Sequence, residues 1–158
     1  MFRVGDKVVY PMHGAGVIEA IEEREVLGRR QNYYVMRLPL GEMQVLIPTS
    51  GPNSVLRAVV GEAELAEAFA VLSNGDEVHA ANWSRRYRAN LEKMRTGDIC
   101  AVAEVVRNLH RRDRQKGLST GERKMLDNAR QILLSEIILA RNMREDQASH
   151  ILDAALAE

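Results

Sequence analysis

The chain carries one cysteine in 158 residues, Cys100. No disulfide can form within it, the fold must be held by packing, and a reducing compartment is implied. Its neighbours Ile99, Ala101 and Val102 make Cys100 a packed thiol. Without a second cysteine a zinc site would rest on histidine, yet His13, His79, His110 and His150 stand far apart with no ligand spacing. No apolar run approaches the roughly 20 residues that span a bilayer. The opening Met1-Phe2-Arg3-Val4-Gly5-Asp6-Lys7 also lacks the basic-then-apolar order of an export signal. A cytoplasmic protein with no membrane partner is the expectation. Glycines in Pro11-Met12-His13-Gly14-Ala15-Gly16 do not make a phosphate loop, because the Lys-Ser/Thr ending and a following helix are missing. No set of nucleophile, base and orienting group stands out, so no catalytic residue, metal ligand or cofactor is assigned, and the chain reads as a non-enzyme.

Net charge is also absent, at +0, but the zero hides a division. Residues 1 to 78 hold 7 basic against 11 acidic side chains, and residues 79 to 158 hold 15 against 11. Within 83 to 130 the count is 13 basic to 6 acidic. Such asymmetry points to two partners of different kind, the basic half facing a polyanion.

Hydropathy patterning divides the chain in the same place. Phe2 to Tyr10, Val17 to Val26, Tyr33 to Leu38, Met43 to Pro48 and a short Val55-Leu56-Arg57 read as strands, with Gly41-Glu42 as a hairpin connection. Short antiparallel strands over about sixty residues fit a small barrel of the SH3 or Tudor kind. From Gly61 the period becomes helical. Leu65, Phe69 and Leu72 form one stripe, and a polar linker is expected around 73 to 81. Asn82 and Asp98 are N-caps, Gly97 and Gly117 are stops, and Ser119 with Glu122 makes a capping box for a long helix through about Arg141. A last helix covers roughly 144 to 157. The expectation is an α+β two-domain protein: a barrel over 1–60, and a helical domain over 61–158 in which the four C-terminal helices form a compact bundle. No sustained heptad calls for a coiled-coil dimer, and a monomer is expected.

The stretch Asn82-Trp83-Ser84-Arg85-Arg86-Tyr87-Arg88 concentrates chemistry, because aromatics are only 4% of the chain and the single tryptophan stands beside three arginines. Trp83, Tyr87, Leu91 and Met94 fall on one helical stripe. Trp83 at its end serves either as a lid on a small core or as a contact. Arginines in a first turn oppose the helix macrodipole, a local cost that an anion met there would offset. The basic helix end from Arg111 to Lys116, together with Arg123-Lys124, is placed to converge with them on phosphates.

These residues carry a family likeness. Val4-Gly5-Asp6-Lys7-Val8-Val9-Tyr10-Pro11-Met12-His13-Gly14-Ala15-Gly16, then Asn82 to Lys93, then Val102-Ala103-Glu104-Val105-Val106-Arg107-Asn108-Leu109 with Leu118-Ser119 and Glu122, resemble the CarD family of bacterial transcription regulators. The likeness runs over essentially the whole chain in order. The first half alone is similar to the polymerase-interacting module of transcription-repair coupling factor, though no helicase motor follows in this sequence. The resemblance implies a Tudor-like domain that binds the β subunit of RNA polymerase. It further implies a helical domain that touches promoter DNA, at the minor groove and phosphates, beside the upstream edge of the transcription bubble, stabilising the open complex. Trp83 matches the family's wedge tryptophan and Arg85, Arg86 and Arg88 its DNA-contacting positions. Arg24 matches a basic polymerase-holding position, Leu46 stands where some members carry arginine, and Arg37 and Gln44 are neighbours able to contribute. The alternative is an adaptor whose basic helices meet an acidic protein surface.

Overall fold

The computed structural model describes residues 1–52, 54–74 and 82–157. His79, and the expected linker beyond Asn74, lie outside them. Five strands come first: β1 (Lys7–Tyr10), β2 (Gly14–Val26), β3 (Arg29–Arg37), β4 (Gln44–Pro48) and β5 (Arg57–Ala58). Five helices follow: α1 (Glu62–Ser73), α2 (Trp83–Arg95), α3 (Ile99–Lys116), α4 (Thr120–Arg141) and α5 (Glu145–Ala157). The α+β division holds. The strands form one antiparallel sheet in the order β4-β3-β2-β1-β5, so β4 and β5 stand at its two ends.

β1 is shorter than the apolar run from Phe2 suggested. Phe2 instead sets its ring edge-on to Tyr34, 6.3 Å between centroids, and its N–H donates to the Tyr34 hydroxyl at 3.2 Å. β3 begins four residues before Tyr33, because its polar start pairs with β2 out to Val26↔Arg29. One face of the sheet buries Val8, Ile18, Tyr34, Met36 and Ile47 as a small core.

The helical core is larger, with Leu65, Leu72, Val102, Val106, Leu133 and Leu152 at its centre. Among the described residues the bundle therefore has five helices where four were expected. α1 is part of it because Leu65, Ala68 and Leu72 supply an apolar stripe that is buried in the helical core. The caps follow the sequence: Asn82 Oδ1 accepts from the Arg85 N–H at 2.9 Å, and the Asp98 carboxylate from the Ala101 N–H at 3.2 Å.

Sheet and bundle meet closely. Met12 and Leu40 pack on the helical core. Gly14, at φ +111°, passes so near α4 that a Cβ there would come within 2.8 Å of Ser135 Oγ. At Gly97, with φ +71°, a Cβ would come within 2.7 Å of the Pro11 ring. Both positions combine a left-handed backbone with a close approach to a side chain of another element, which a Cβ would block.

Candidate nucleic-acid interface

Along α2 the apolar stripe grades outward. Met94 is buried, Leu91 and Tyr87 are half-buried, and Trp83 is 45% exposed. Trp83 therefore does not close the core. Its ring stacks on Tyr87, 5.1 Å between centroids at 21°, and its indole N–H donates to Ser119 Oγ at 2.8 Å. Ser119 is the N-cap of α4, where its hydroxyl also accepts from the Glu122 N–H at 3.2 Å. The N-termini of two helices thus meet at the indole, held from one side by stacking and from the other by a hydrogen bond.

Beneath them lies Glu122, 1% exposed. A capping-box glutamate normally turns back to the cap. This one accepts the Ser119 hydroxyl at 3.2 Å and faces Arg86 at 3.4 and 3.5 Å, with Arg112 Nε at 4.0 Å. A buried carboxylate needs such cationic partners to offset its lost hydration. Arg86, its side chain 17% exposed, is committed inward, whereas Arg85 and Arg88 face solvent. The three arginines predicted as one set therefore divide by placement, one against a buried carboxylate and two in solvent. Arg123 donates to Asp113 at 2.6 Å, tying the start of α4 to the end of α3. Arg112 beside Glu122 and Arg123 on Asp113 bring the end of α3 to the start of α4, where Ser119 holds Trp83, and Arg114, Lys116 and Lys124 are exposed.

Residues 67–153 match the family profile "CarD, C-terminal domain", and residues 2–60 match "CarD-like/TRCF RID domain". The chain belongs to the CarD family. It is 44% identical over 148 residues to "Putative transcription factor YdeB" of Bacillus subtilis (strain 168), covering 93% of this chain and 97% of that one. The boundary between the two CarD-family matches falls between β5 and the first turns of α1.

The remaining predicted residues lie on the sheet of this CarD-family chain. Cross-strand partners share a face, and alternate residues of a strand share a face. Arg24 pairs with Gln31, Leu46 with Val35, and Gln44 with Arg37. Gln31, Val35 and Arg37 alternate along β3, so Arg24, Leu46 and Arg37 all fall on the face opposite the Tyr34–Met36 core. Arg24 stands well apart from the other two, because Gln31 and Arg37 are six residues apart, about 20 Å of strand, whereas Leu46, opposite Val35, is a diagonal neighbour of Arg37. Leu46 is 37% exposed on the edge strand β4. Arg24 is bound to Glu22 at 2.6 Å, and Arg37 with Gln44 to Glu19. Glu19 sits where the β2–β3 register shifts between Ile18 and Ala20, and that irregularity frees its side chain to meet both partners.

Three participants escaped the sequence reading: Glu122 as a buried anchor, Arg112 beside it, and Arg57, whose contacts join the two domains. The capping-box signal marked Ser119 and Glu122 as a helix start, but no local pattern ties a cap to an indole 36 positions away. Among the described residues no helix is long and apolar enough to cross a membrane, and no group of three potential metal ligands assembles.

Proposed function

We propose that this chain is a transcription regulator that holds the β subunit of RNA polymerase with the outer face of its sheet and touches promoter DNA with the start of α2, stabilising the open complex. The observation that carries the reading is Trp83, an exposed indole held rigidly between two helix N-termini and flanked by the solvent-facing Arg85 and Arg88. A flat apolar ring presented this way suits a minor groove at an opening base step, where it wedges or stacks. Arg85 and Arg88 then supply phosphate contacts that set register and salt dependence without reading sequence. Arg86 serves the same site from behind, by neutralising Glu122 under the cap that holds the indole.

On the sheet, Arg24, Arg37 and Leu46 form the polymerase surface in this reading. Ion pairs as exposed as Arg24–Glu22 contribute only about 0–1 kcal/mol. Exchanging such a carboxylate for one on a partner therefore costs little. Tethering to polymerase raises the effective concentration of the helical domain at the promoter, so modest DNA affinity is sufficient. The near-neutral total charge supports a tethered mode over free-standing DNA binding. The protein acts as a cytoplasmic monomer, at the nucleoid through polymerase.

The test is the lifetime of an unstable open complex with no added protein, with wild type and with Trp83→Ala, at two salt concentrations. The proposal expects wild type to prolong the lifetime and the variant to lose most of that while still binding polymerase. If neither alters the lifetime and the basic helices instead bind an acidic protein surface, the adaptor reading replaces it.

A further inference from the structure

Helix α4 carries both ends of the molecule's working geometry. At its N-terminus Ser119 caps it and receives the Trp83 indole N–H. In its last two turns three successive contacts seize the sheet domain. Ser135 Oγ accepts the Ala15 N–H at 2.9 Å, and the Leu139 carbonyl accepts the Lys7 ammonium at 2.8 Å. Between them Glu136 takes both terminal nitrogens of Arg57 at 2.7 and 2.6 Å and the Val60 N–H at 3.0 Å. The remaining Arg57 nitrogen, Nε, donates to the Gly97 carbonyl at 2.8 Å, in the turn between α2 and α3.

The side chain of Glu136 is only 3% exposed and that of Arg57 29%. A buried ion pair is weak as a source of stability, since two apolar side chains of similar volume often do as well. Its distinctive property is direction: a fork-to-fork arginine–carboxylate pair fixes distance and angle together. The connection between the domains has little freedom either. Only Val59, Val60 and Gly61 separate β5 from α1. Val59 N–H donates to the Lys7 carbonyl at 3.1 Å, and Val60 N–H is held by Glu136.

We infer that Arg57 and Glu136 are positioning residues that lock the sheet to α4, making α4 a rigid spacer that sets the place of Trp83 relative to the polymerase-binding face. From Ser119 to Glu136 the helix runs about 25 Å at about 1.5 Å per residue. Resting on the function proposed above, the lock converts polymerase binding into correct aim of the indole. A loose joint leaves both surfaces intact but spreads Trp83 over many positions, lowering its effective concentration at the bubble edge.

The experiment compares the full chain with the double variant Arg57→Gln/Glu136→Gln, which removes the charges while keeping hydrogen-bonding groups, and with Arg57→Lys, which keeps charge but loses the fork. Spin labels at Leu27→Cys and Asp127→Cys, both exposed positions, in a Cys100→Ala background report the distance between sheet and α4. Polymerase binding and open-complex lifetime are read in parallel. The parent should give one narrow distance. The variants should broaden it and lose at least about fivefold of the lifetime gain, with polymerase binding unchanged. If the distance stays narrow in both variants, or broadens without loss of the lifetime gain, the inference is overturned. If the double variant does not fold, Arg57→Lys decides on the same criteria. Should the parent itself fail to prolong the lifetime, the function proposed above fails instead, and the distance measurement, needing neither polymerase nor DNA, still decides whether the pair is the lock.

Discussion

Trp83 donates its indole N–H to Ser119 at 2.8 Å, so the residue that caps α4 also fixes the one tryptophan of the chain. Ser119→Ala removes both functions. Loss of an N-cap hydroxyl costs about 1 kcal/mol, which for a chain of this size lowers Tm by about 2–4 °C. The tryptophan should lose rotational order at the same time, seen as a fall in fluorescence anisotropy. Unchanged anisotropy in the folded variant would show that stacking on Tyr87 alone fixes the ring.

Neighbouring arginines should respond differently to the same substitution. Arg86→Ala leaves the buried Glu122 short of a partner and should destabilise by about 2 kcal/mol or more. Arg85→Ala, at an exposed position, should stay within about 0.5 kcal/mol. Its effect should instead be on DNA, with the slope of log affinity against log salt falling by about 1. Urea melts and salt titrations separate the two roles. Equal destabilisation by the two substitutions would contradict the division.

On the sheet, Arg24→Glu and Leu46→Glu should weaken polymerase binding about tenfold or more, by placing a like charge beside Glu22 or a carboxylate on the apolar edge. Thermal stability should move little, because both side chains face solvent. Pull-down with the polymerase β subunit reads this directly. Full binding by both variants would move the polymerase contact to another face.

Burial pushes the Cys100 thiol above its ordinary pKa, with Asp98 and then Glu67, Glu104 and Glu64 adding repulsion against the thiolate. Alkylation proceeds through the thiolate. At neutral pH iodoacetamide should therefore modify the native protein more slowly than a free thiol, and the rate should rise only at higher pH. A rate matching the unfolded chain across the pH range would contradict the packed setting.

Much of this was legible in the sequence because local rules apply to it. The caps at Asn82, Asp98 and Ser119 follow from side chains that satisfy free amides in the first turn, and the helices began where those residues stand. The strands were found by alternation, but their ends were not, because Phe2 is apolar without being paired and Arg29 to Asn32 are paired without being apolar. At the candidate interface the composition of Asn82 to Arg88 singled out the start of α2 as the candidate. It could not separate Arg86 from Arg85 and Arg88, since that depends on where Glu122 is buried. Arg57 and Glu136, 79 residues apart, left no trace in any periodic pattern.

Whether the Trp83 side chain meets promoter DNA while the sheet holds polymerase is read by replacing Trp83 with a photo-crosslinking phenylalanine analogue and irradiating the open complex formed with polymerase. Crosslinks to nucleotides at the upstream edge of the bubble are expected, and fewer of them when Arg24→Glu weakens the tether. Crosslinks to polymerase alone, or to no partner while the protein remains bound, would contradict that contact.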